Sequence, residues 1–313
     1  MNDYAPISGR EFPRFSAIKT FFRLPHVETD ADYEIGICGI PFDGGVSYRP
    51  GARFAPSKVR DVSSLGRVYH WSRALSFIEK LKVADIGDCP VVPIDLLKTY
   101  ERIQKFYAER LAQNKKIIAI GGDHSITLPI LREIKRKYGK AIRLVHFDAH
   151  LDTYPAAWDC EYHHGSFLRH AIEEGLVDAP KSIHIGIRGP LAGAADLDAI
   201  TKYKMNVLTI DDLRSDTLKN FCARLPDFGN DPTYITFDID GLDPAYAPGT
   251  GTPVVGGMTT YETQQILRSL KIKNLVGADI VEVSPPFDHA DITALAALDT
   301  LFEMLCIFAQ AKS

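Results

Sequence analysis

Residues 141–152, "AIRLVHFDAHLD", begin as an apolar run and end in acidic and imidazole side chains. Side chains two positions apart on an extended chain point to the same side, so Asp148, His150 and Asp152 should converge where the strand ends. Burying these charges without a partner would be costly. The stretch therefore predicts a buried strand whose carboxyl end carries a site for a positively charged group.

Similar β-rich segments recur on both sides of this stretch and are separated by amphipathic segments. They span residues 33–43, 82–88, 116–125, 181–189, 206–210, 233–244 and 275–286. Several are nearly continuous in Ile, Val and Leu, as strands covered on both faces are. We predict an α/β fold with three α/β/α layers and a mostly parallel sheet of about eight strands. The chain, residues 1–313, is predicted to be one domain, with residues 1–30 as an N-terminal arm.

The segments between these strands have helical periodicity, most clearly in residues 93–114, 128–139 and 260–272. In the first of them, apolar residues recur at the spacing of one helix face. That pattern predicts a buried face made of Ile94, Leu97, Tyr100, Ile103 and Phe106.

Composition limits the classes of function. The 313 residues carry a formal net charge of −4 with a pI near 6.2, which gives no basic footprint for nucleic acid. Residues 1–30 lack the apolar core of a signal peptide, and no run approaches the ~18 apolar residues of a membrane span. The cysteines are scattered without C-x-x-C spacing. We expect a cytoplasmic protein that binds neither nucleic acid nor membrane.

Imidazole and carboxylate side chains follow several of the predicted strands. In open α/β sheets ligands bind outside the carboxyl ends of the strands, which places these groups at one edge. The candidate metal ligands are His124, Asp148, His150, Asp152, Asp238 and Asp240. Two imidazoles and four carboxylates suit Mn²⁺ and similar ions, and their negative charge favours two ions. Two such ions can lower the pKa of a shared water and turn it into a nucleophile.

Three motifs resemble the metal-binding signatures of the arginase/agmatinase ureohydrolase superfamily: "GGDHS" (121–125), "FDAHLD" (147–152) and "FDIDGLDPAYAPGTGTP" (237–253). "PFDGGVSYRPGARFAPSKVR" (41–60), "YHHGSF" (162–167) and "DIVEVSPPFD" (279–288) resemble further segments of agmatinase-like members. The resemblance runs from about residue 33 onward. It implies an arginase-like three-layer fold, two manganese ions and hydrolysis of a guanidinium group to urea and an amine, usually in trimers or hexamers.

The same resemblance implies how the ligands divide between the ions. One ion would be held by His124, Asp148, Asp152 and Asp238, and the other by His150, Asp148, Asp238 and Asp240. Asp148 and Asp238 would therefore bridge the two ions. Ni²⁺ or Co²⁺ would also suit these ligands.

Two residues outside the ligand set are predicted to act on the substrate. Glu282 can pair with a planar guanidinium through fork geometry. The leaving amine needs a proton from a histidine with a pKa near the working pH. His164 matches the family's His-Gly position, while the neighbouring His163 is an alternative. His146 and His184 lie inside predicted strands and are expected to pack behind the site.

Substrate choice is predicted to depend on the loop at residues 153–167. Its aromatic residues Tyr154, Trp158 and Tyr162, with the acids Asp159 and Glu161, suit an alkyl chain that ends in an ammonium group. This favours agmatine, which would be split into putrescine and urea.

Other guanidino substrates remain open. A carboxylate tail, as in 4-guanidinobutyrate or 3-guanidinopropionate, would need a cation, which Arg49 or Arg53 could supply. Free guanidine is a further alternative if Trp158 fills the pocket.

Two rival classes also remain. A single-metal deacetylase uses a similar Asp-x-His pair with one zinc, and a non-catalytic homologue would act only by binding. The chain departs from the superfamily pattern at Ala55, Leu151 and Thr236, and none of these is expected to touch a metal ligand.

Overall fold

The computed structural model describes residues 4–28 and 30–312. The strands are β1 (Ile35–Gly39), β2 (Tyr69–His70), β3 (Leu75–Ser76), β4 (Val83–Asp88), β5 (Lys116–Ile120), β6 (Arg143–Phe147), β7 (Ile183–Ile187), β8 (Val207–Thr209), β9 (Asp227–Gly229), β10 (Thr233–Asp238), β11 (Lys271–Ile272) and β12 (Leu275–Val281). The helices are α1 (Ala55–Val62), α2 (Phe77–Lys80), α3 (Leu96–Ala112), α4 (Thr127–Tyr138), α5 (Phe167–Glu173), α6 (Asp198–Tyr203), α7 (Ile210–Arg214), α8 (Leu218–Ala223), α9 (Thr260–Ser269) and α10 (Ile292–Ala311).

An eight-stranded sheet forms the centre of the fold, with the strand order β4-β1-β5-β12-β10-β6-β7-β8. Every neighbouring pair in this sheet is parallel. Each of the eight predicted β-rich segments contains one of these strands. The predicted α/β class and strand number are therefore confirmed.

The two faces of the sheet are covered by different sets of helices. On β5, Ile118 and Ile120 belong to the hydrophobic core that contains residues of α1, α9 and α10. The alternate residues Ile117 and Ala119 belong to a second core with residues of α3, α4 and α5. Because strand side chains alternate between faces, an almost continuous apolar strand serves both cores. This arrangement is the predicted three-layer α/β/α fold.

The buried face predicted for residues 93–114 is correct in its second half and wrong in its first. Tyr100, Ile103 and Phe106 are buried, whereas Ile94 and Leu97 are 96% and 56% exposed. Asp95 caps α3 by accepting a hydrogen bond from the Lys98 N–H, so Ile94 precedes the helix. Leu97 lies in the first turn of α3, and the buried residues of this helix begin only at Thr99.

Helix α10 is the one segment of the described residues that is long and apolar enough to cross a membrane by length and composition. Its side chains are mostly buried in the fold, and it contacts α1, α9 and β12. A helix in this position is apolar because it closes one face of the sheet.

The N-terminal segment divides into a buried and an exposed part. Phe21 and Leu24 are almost fully buried, and the backbone of residue 26 forms a bridge with Asp85 at the edge of the sheet. Phe15 and Ile18, in contrast, are 85% and 84% exposed.

Candidate metal centre and active site

The strand order brings the candidate residues together. Strands β5, β12, β10 and β6 are consecutive neighbours in the sheet, and each ends at the same edge. The residues at or after their carboxyl ends are His124, Glu282, Asp238 with Asp240, and Asp148 with His150 and Asp152. Parallel pairing therefore places groups more than a hundred residues apart in the sequence at one site.

The first group of ligand atoms surrounds the imidazole of His124. Its Nδ1 atom lies 3.2 Å from Asp148 Oδ2, 3.0 Å from Asp152 Oδ2 and 3.3 Å from Asp238 Oδ2. His124 and Asp148 are fully buried, and Asp152 and Asp238 nearly so. Asp152 has a left-handed backbone with φ of 52°, which costs on the order of 1 kcal/mol for a residue with a side chain.

A buried chain of hydrogen bonds orients His124. Thr236 Oγ1 donates to Asp279 Oδ1 at 2.5 Å, so its oxygen is left to accept from His124 Nε2 at 2.8 Å. With its proton on Nε2, the imidazole presents the lone pair of Nδ1 to the carboxylates. The expectation that Thr236 touches no ligand is therefore wrong. The side chain of Thr236 points to the same side of β10 as that of Asp238, because the two residues are two positions apart on one strand.

The second group joins His150, Asp240 and Asp148. His150 Nδ1 lies 3.1 Å from Asp240 Oδ2 and 3.3 Å from Asp148 Oδ1. Asp148 thus presents one carboxylate oxygen to each group. Asp238 is placed against His124 in the first group, while its Oδ1 accepts the Asp240 N–H at 2.9 Å.

The chemistry of these side chains fits a pair of divalent cations. Among the described residues the buried His124 Nδ1 has no hydrogen-bond donor beside it and faces only carboxylate oxygens. Burial and the neighbouring charges of Asp240 and Asp148 raise the pKa of Asp238 well above its ordinary value, and burial with the charge of Asp148 raises that of Asp240. Carboxylates that repel one another in this way are stabilised by bound cations. The donor atoms are the nitrogen and oxygen ligands that Mn²⁺, Ni²⁺ and Co²⁺ accept.

Two further histidines support the site from inside the sheet. His146 Nε2 lies 3.0 Å from Asp148 Oδ2, and its Nδ1 lies 3.1 Å from Nδ1 of His184. Both histidines are fully buried. They lie behind Asp148, as their positions within predicted strands suggested.

Glu282 lies next to the first ligand group and keeps one oxygen free of hydrogen bonds. Its Oε1 accepts the His124 N–H at 2.9 Å and lies 3.0 Å from His164 Nδ1. Its Oε2 is buried and has no hydrogen-bond partner within the part of the chain that the structure describes. The residue is held with a left-handed φ of 63°, the kind of backbone strain that is concentrated at functional sites.

His164 contacts Glu282 and the loop that carries Ser47. Burial lowers the pKa of His164, but the charge and hydrogen bond of Glu282 outweigh it and raise the pKa to about 9. The neighbouring His163 instead points its Nε2 at the Pro155 carbonyl, 3.0 Å away. The structure therefore brings His164, and not His163, into contact with Glu282.

Replacing Glu282 should reveal this coupling directly. In metal-free Glu282→Gln the pKa of His164 should fall from about 9, because burial is then opposed only by the smaller effects of the Asp152 and Asp123 charges. Since the raised pKa belongs to the folded state, the pair stabilises the fold fully below pH 6.5, and this stabilisation is lost as the pH rises through about 9. NMR titration of the histidine ring signals measures the shift. Glu109→Gln on α3 is the control, and an unchanged His164 pKa in Glu282→Gln would contradict the assignment.

A cavity of about 360 Å³ opens beside both ligand groups. Its lining includes Ser47, His150, Tyr154, Trp158, His163 and His164. The backbone of Ala157 pairs with that of Cys160, which holds Trp158 at the tip of a tight turn where it is 74% exposed. Tyr154 and Trp158 thus line the cavity, whereas the ring of Tyr162 packs against Tyr100, 5.8 Å between centroids, and is not part of the lining.

The charged residues that were predicted to contact the substrate tail lie outside the cavity lining. Asp159 and Glu161 are exposed and are not among the residues that line the cavity. Arg53 pairs with the buried carboxylate of Asp43. The guanidinium of Arg49 lies over the rings of Tyr48 and Phe287, 5.2 and 5.0 Å from their centroids, outside the cavity lining.

Gly122 is required for close packing. A Cβ atom there would lie 1.5 Å from the Phe42 carbonyl oxygen, so a side chain would displace the neighbouring backbone. Its φ is not positive, so the close approach of the Phe42 backbone, and not a left-handed conformation, requires a glycine here.

Sequence analysis missed Arg188, which follows β7 at the same edge of the sheet. Its guanidinium donates to the carbonyl oxygens of Gly186, Asp240, Gly241, Leu242, Val254 and Val255. It therefore joins the Asp240 loop to the loop that contributes Thr252 to the cavity. The only indication of this role in the sequence was the position of Arg188, which lies near the end of a predicted β-rich segment and precedes Gly189.

Comparisons with known proteins agree with this geometry. Residues 33–306 match the model of the Arginase family. The chain belongs to the arginase family. It is 42% identical over 315 residues to a guanidinopropionase of Pseudomonas aeruginosa, which covers 100% of this chain and 98% of that one. It is also 41% identical over 298 residues to an agmatinase of Cronobacter sakazakii, covering 93% and 94% of the two chains.

A solved structure shares the fold. Proclavaminate amidinohydrolase from Streptomyces clavuligerus superimposes with a TM-score of 0.89 at 37% identity, covering 96% of this chain and 99% of that one. The 313-residue chain described above is therefore a ureohydrolase of the arginase family. It contains the residues of the family's binuclear metal site. The single-metal deacetylase of the sequence analysis belongs to a different family and is no longer an alternative.

Proposed function

We propose that the protein hydrolyses a primary alkylguanidine to urea and an amine at the site formed by His124, Asp148 and Glu282. The observation that carries this proposal is the buried Oε2 of Glu282 beside the two ligand groups, which has no partner in residues 4–28 and 30–312. A carboxylate oxygen left without a donor costs about 1–3 kcal/mol, and a guanidinium N–H would remove that cost. The proposed catalytic role of Glu282 is to bind the N–H groups of the guanidinium and thereby to orient its carbon atom for attack.

The metal ligands in this proposal are those described above. His124, Asp148, Asp152 and Asp238 would hold one cation, and His150, Asp148, Asp238 and Asp240 the other. Two Mn²⁺ ions are proposed, with Ni²⁺ or Co²⁺ as alternatives. When bound, such ions supply the hydroxide that attacks the guanidinium carbon, because they lower the pKa of water.

His164 is the proposed source of the proton for the leaving amine. Its raised pKa of about 9 keeps the imidazole protonated near neutral pH. Glu282 holds the ring through Nδ1 and thereby fixes its orientation. Since a neutral amine leaves far more readily than an amide anion, this protonation allows the C–N bond to break.

Agmatine is the proposed substrate. Tyr154 and Trp158 line the cavity, and aromatic faces attract an ammonium group by about 0.5–2 kcal/mol. The described residues that line the cavity include no Lys or Arg that would attract a carboxylate. Both features favour a substrate tail that is positively charged.

A guanidino acid is the second candidate. It is favoured by the similarity to relatives named guanidinopropionase and guanidinobutyrase, at 42% and 39% identity. In that case Arg49, two residues from the cavity-lining Ser47, is the cation that would turn toward the tail. The two candidates share one mechanism and differ only in the charge of the tail.

Urea release from a panel of guanidino compounds tests the proposal. The panel contains agmatine, arginine, 4-guanidinobutyrate, 3-guanidinopropionate and guanidine, with protein loaded separately with Mn²⁺, Ni²⁺ and Co²⁺. We expect the highest kcat/KM for agmatine. If a guanidino acid is preferred, Arg49→Leu should raise its KM by about 10-fold or more, as loss of a charged contact does. Absence of urea from every compound with every metal would contradict the proposed function.

Assembly and location complete the proposal. Phe15, Ile18 and Trp71 are 85%, 84% and 92% exposed. Large exposed apolar side chains of this kind favour contact with another protein surface, and a homotrimer or homohexamer would cover them. A cytoplasmic location remains a prediction. Light scattering of the purified protein measures the assembly.

A further inference from the structure

Both nitrogen atoms of the His164 imidazole are engaged by neighbouring residues. Nδ1 lies 3.0 Å from Glu282 Oε1, and Nε2 lies 2.8 Å from Ser47 Oγ and 3.3 Å from the Ser47 backbone nitrogen. A proton that leaves this ring for the substrate must therefore pass through Glu282 or through Ser47. Glu282 Oε1 already accepts the His124 N–H, and this carboxylate is the proposed partner of the guanidinium.

Ser47 has the properties required of the remaining route. It is exposed and lines the cavity beside His164. Because a backbone N–H can only donate, the Ser47 N–H can bond to Nε2 only when the ring is neutral with its proton on Nδ1, which is the state left after proton transfer. The hydroxyl can donate to Nε2 in that state and accept from it when the imidazole is protonated. One side chain can thus serve both protonation states of His164.

We propose that Ser47 is a catalytic residue that passes the proton of His164 to the leaving amine. This inference rests on the proposed function. As the C–N bond breaks, its electron pair stays on the amine nitrogen, which takes the hydroxyl proton of Ser47. The serine oxygen takes the proton from His164 Nε2 in the same step. The serine is regenerated, the amine leaves with its added proton, and the imidazole becomes neutral.

The position of Ser47 is fixed by the residue two places before it. The Gly45 carbonyl accepts the His164 N–H at 3.0 Å, and the Gly45 N–H donates to Asp123 Oδ2 at 2.7 Å. A Cβ on Gly45 would lie 3.0 Å from Ser125 Oγ and 3.1 Å from the Asp123 carboxylate, so a glycine suits this close approach. The loop is therefore anchored to His164 before substrate binds, which is the preorganisation that proton transfer requires.

Thr252 is the other aliphatic hydroxyl in the cavity lining, and it is placed for a different contact. Its Oγ1 lies 3.4 Å from Asp240 Oδ2, on the side of the second ligand group. Ser47 is accordingly the hydroxyl that joins His164 to the cavity.

The test compares two substrates that differ in how much their leaving amine needs a proton. The first is the best compound of the panel, and the second is its analogue with two fluorines on the carbon β to the leaving nitrogen. Fluorine withdraws electrons, so the amine of the analogue is a weaker base and a better leaving group. Ser47→Ala should lower kcat for the first substrate by about 100-fold, the lower end of the range of general acid catalysis, with KM changed less than about 2-fold.

The fluorinated substrate and a conservative variant separate proton transfer from a structural effect. For the fluorinated analogue the kcat of Ser47→Ala should fall several-fold less than for the parent substrate. Ser47→Thr, which keeps a hydroxyl, should recover most of the loss. Ser57→Ala is the matched control, since the Ser57 hydroxyl bonds only to the Phe54 carbonyl among the described residues, and it should behave as wild type.

The outcomes that overturn the proposal are distinct. Equal losses of kcat for both substrates in Ser47→Ala would assign Ser47 a structural role, and no loss would remove it from the reaction. In both cases an active wild-type enzyme would leave the proposed function intact. A wild type that releases no urea from any substrate would overturn the proposed function and the role of Ser47 together.

Discussion

Asp148→Asn should reduce urea release by roughly 10³-fold or more and lower the bound metal to at most one ion per chain. Asp148 presents Oδ2 to His124 and Oδ1 to His150, so a neutral amide removes a negative charge from both ligand groups at once. A loss of about 4 kcal/mol of transition-state stabilisation, a modest part of what a metal centre supplies, corresponds to that factor.

The experiment combines urea release with metal counting by mass spectrometry and thermal unfolding. The asparagine oxygen can still accept the His150 N–H, which Asp148 Oδ1 accepts at 2.6 Å, so the variant should fold. Asp231→Asn, at a surface pair with Lys140, is the matched control and should keep both ions and full turnover. Two bound ions with full activity in Asp148→Asn would show that the binuclear assignment is wrong.

Arg188→Leu should lower the free energy of unfolding by about 2–4 kcal/mol, because several carbonyl groups lose a charged donor. The same change should weaken metal binding by about 10- to 100-fold, the usual effect of losing a partner that orients a ligand. The guanidinium donates to the carbonyl of Asp240 itself at 2.8 Å and to that of Leu242 at 3.1 Å. Both effects follow from release of the loop that carries this ligand.

Arg143→Leu provides a matched control for this prediction. Arg143 also donates to backbone carbonyls, those of Lys181, Asp227 and Phe228, but it lies at the amino end of β6, away from the site. It should lose stability to a similar degree while keeping metal affinity and kcat. Chemical denaturation and metal titration measure the two quantities. If both variants weakened metal binding equally, Arg188 would have no specific role in positioning Asp240.

The expected charges around the substrate tail illustrate where sequence reasoning failed. Asp159 and Glu161 lie in the right loop, but the turn at residues 157–160 carries Trp158 to the cavity and leaves both acids in solvent. A loop sequence reports which side chains are available. Which of them face inward depends on left-handed residues such as Trp158 and Asp159, whose backbone conformation no local pattern had indicated.

The contacts of Thr236 and Arg188 could not be predicted from the sequence either. Thr236 faces His124 because β10 lies between β12, which carries Asp279, and β6, which Asp148 directly follows. Arg188 reaches Asp240 because β7 is next to β6 and the following loops fold over the edge. Both contacts depend on the order of strands, and apolar strands of similar composition give no indication of that order.

The sequence by itself determined the parallel α/β fold, because eight apolar segments separated by amphipathic helices can bury their surface only as a sheet covered on both faces. It also indicated the metal-binding side chains, because alternation along a strand is a local property of the backbone. The tertiary structure alone decided that β5, β12, β10 and β6 are neighbours, that His164 contacts Glu282, and that Ser47 lies between His164 and the cavity. These are contacts between distant segments, and they are fixed by packing and hydrogen bonding that no single segment contains.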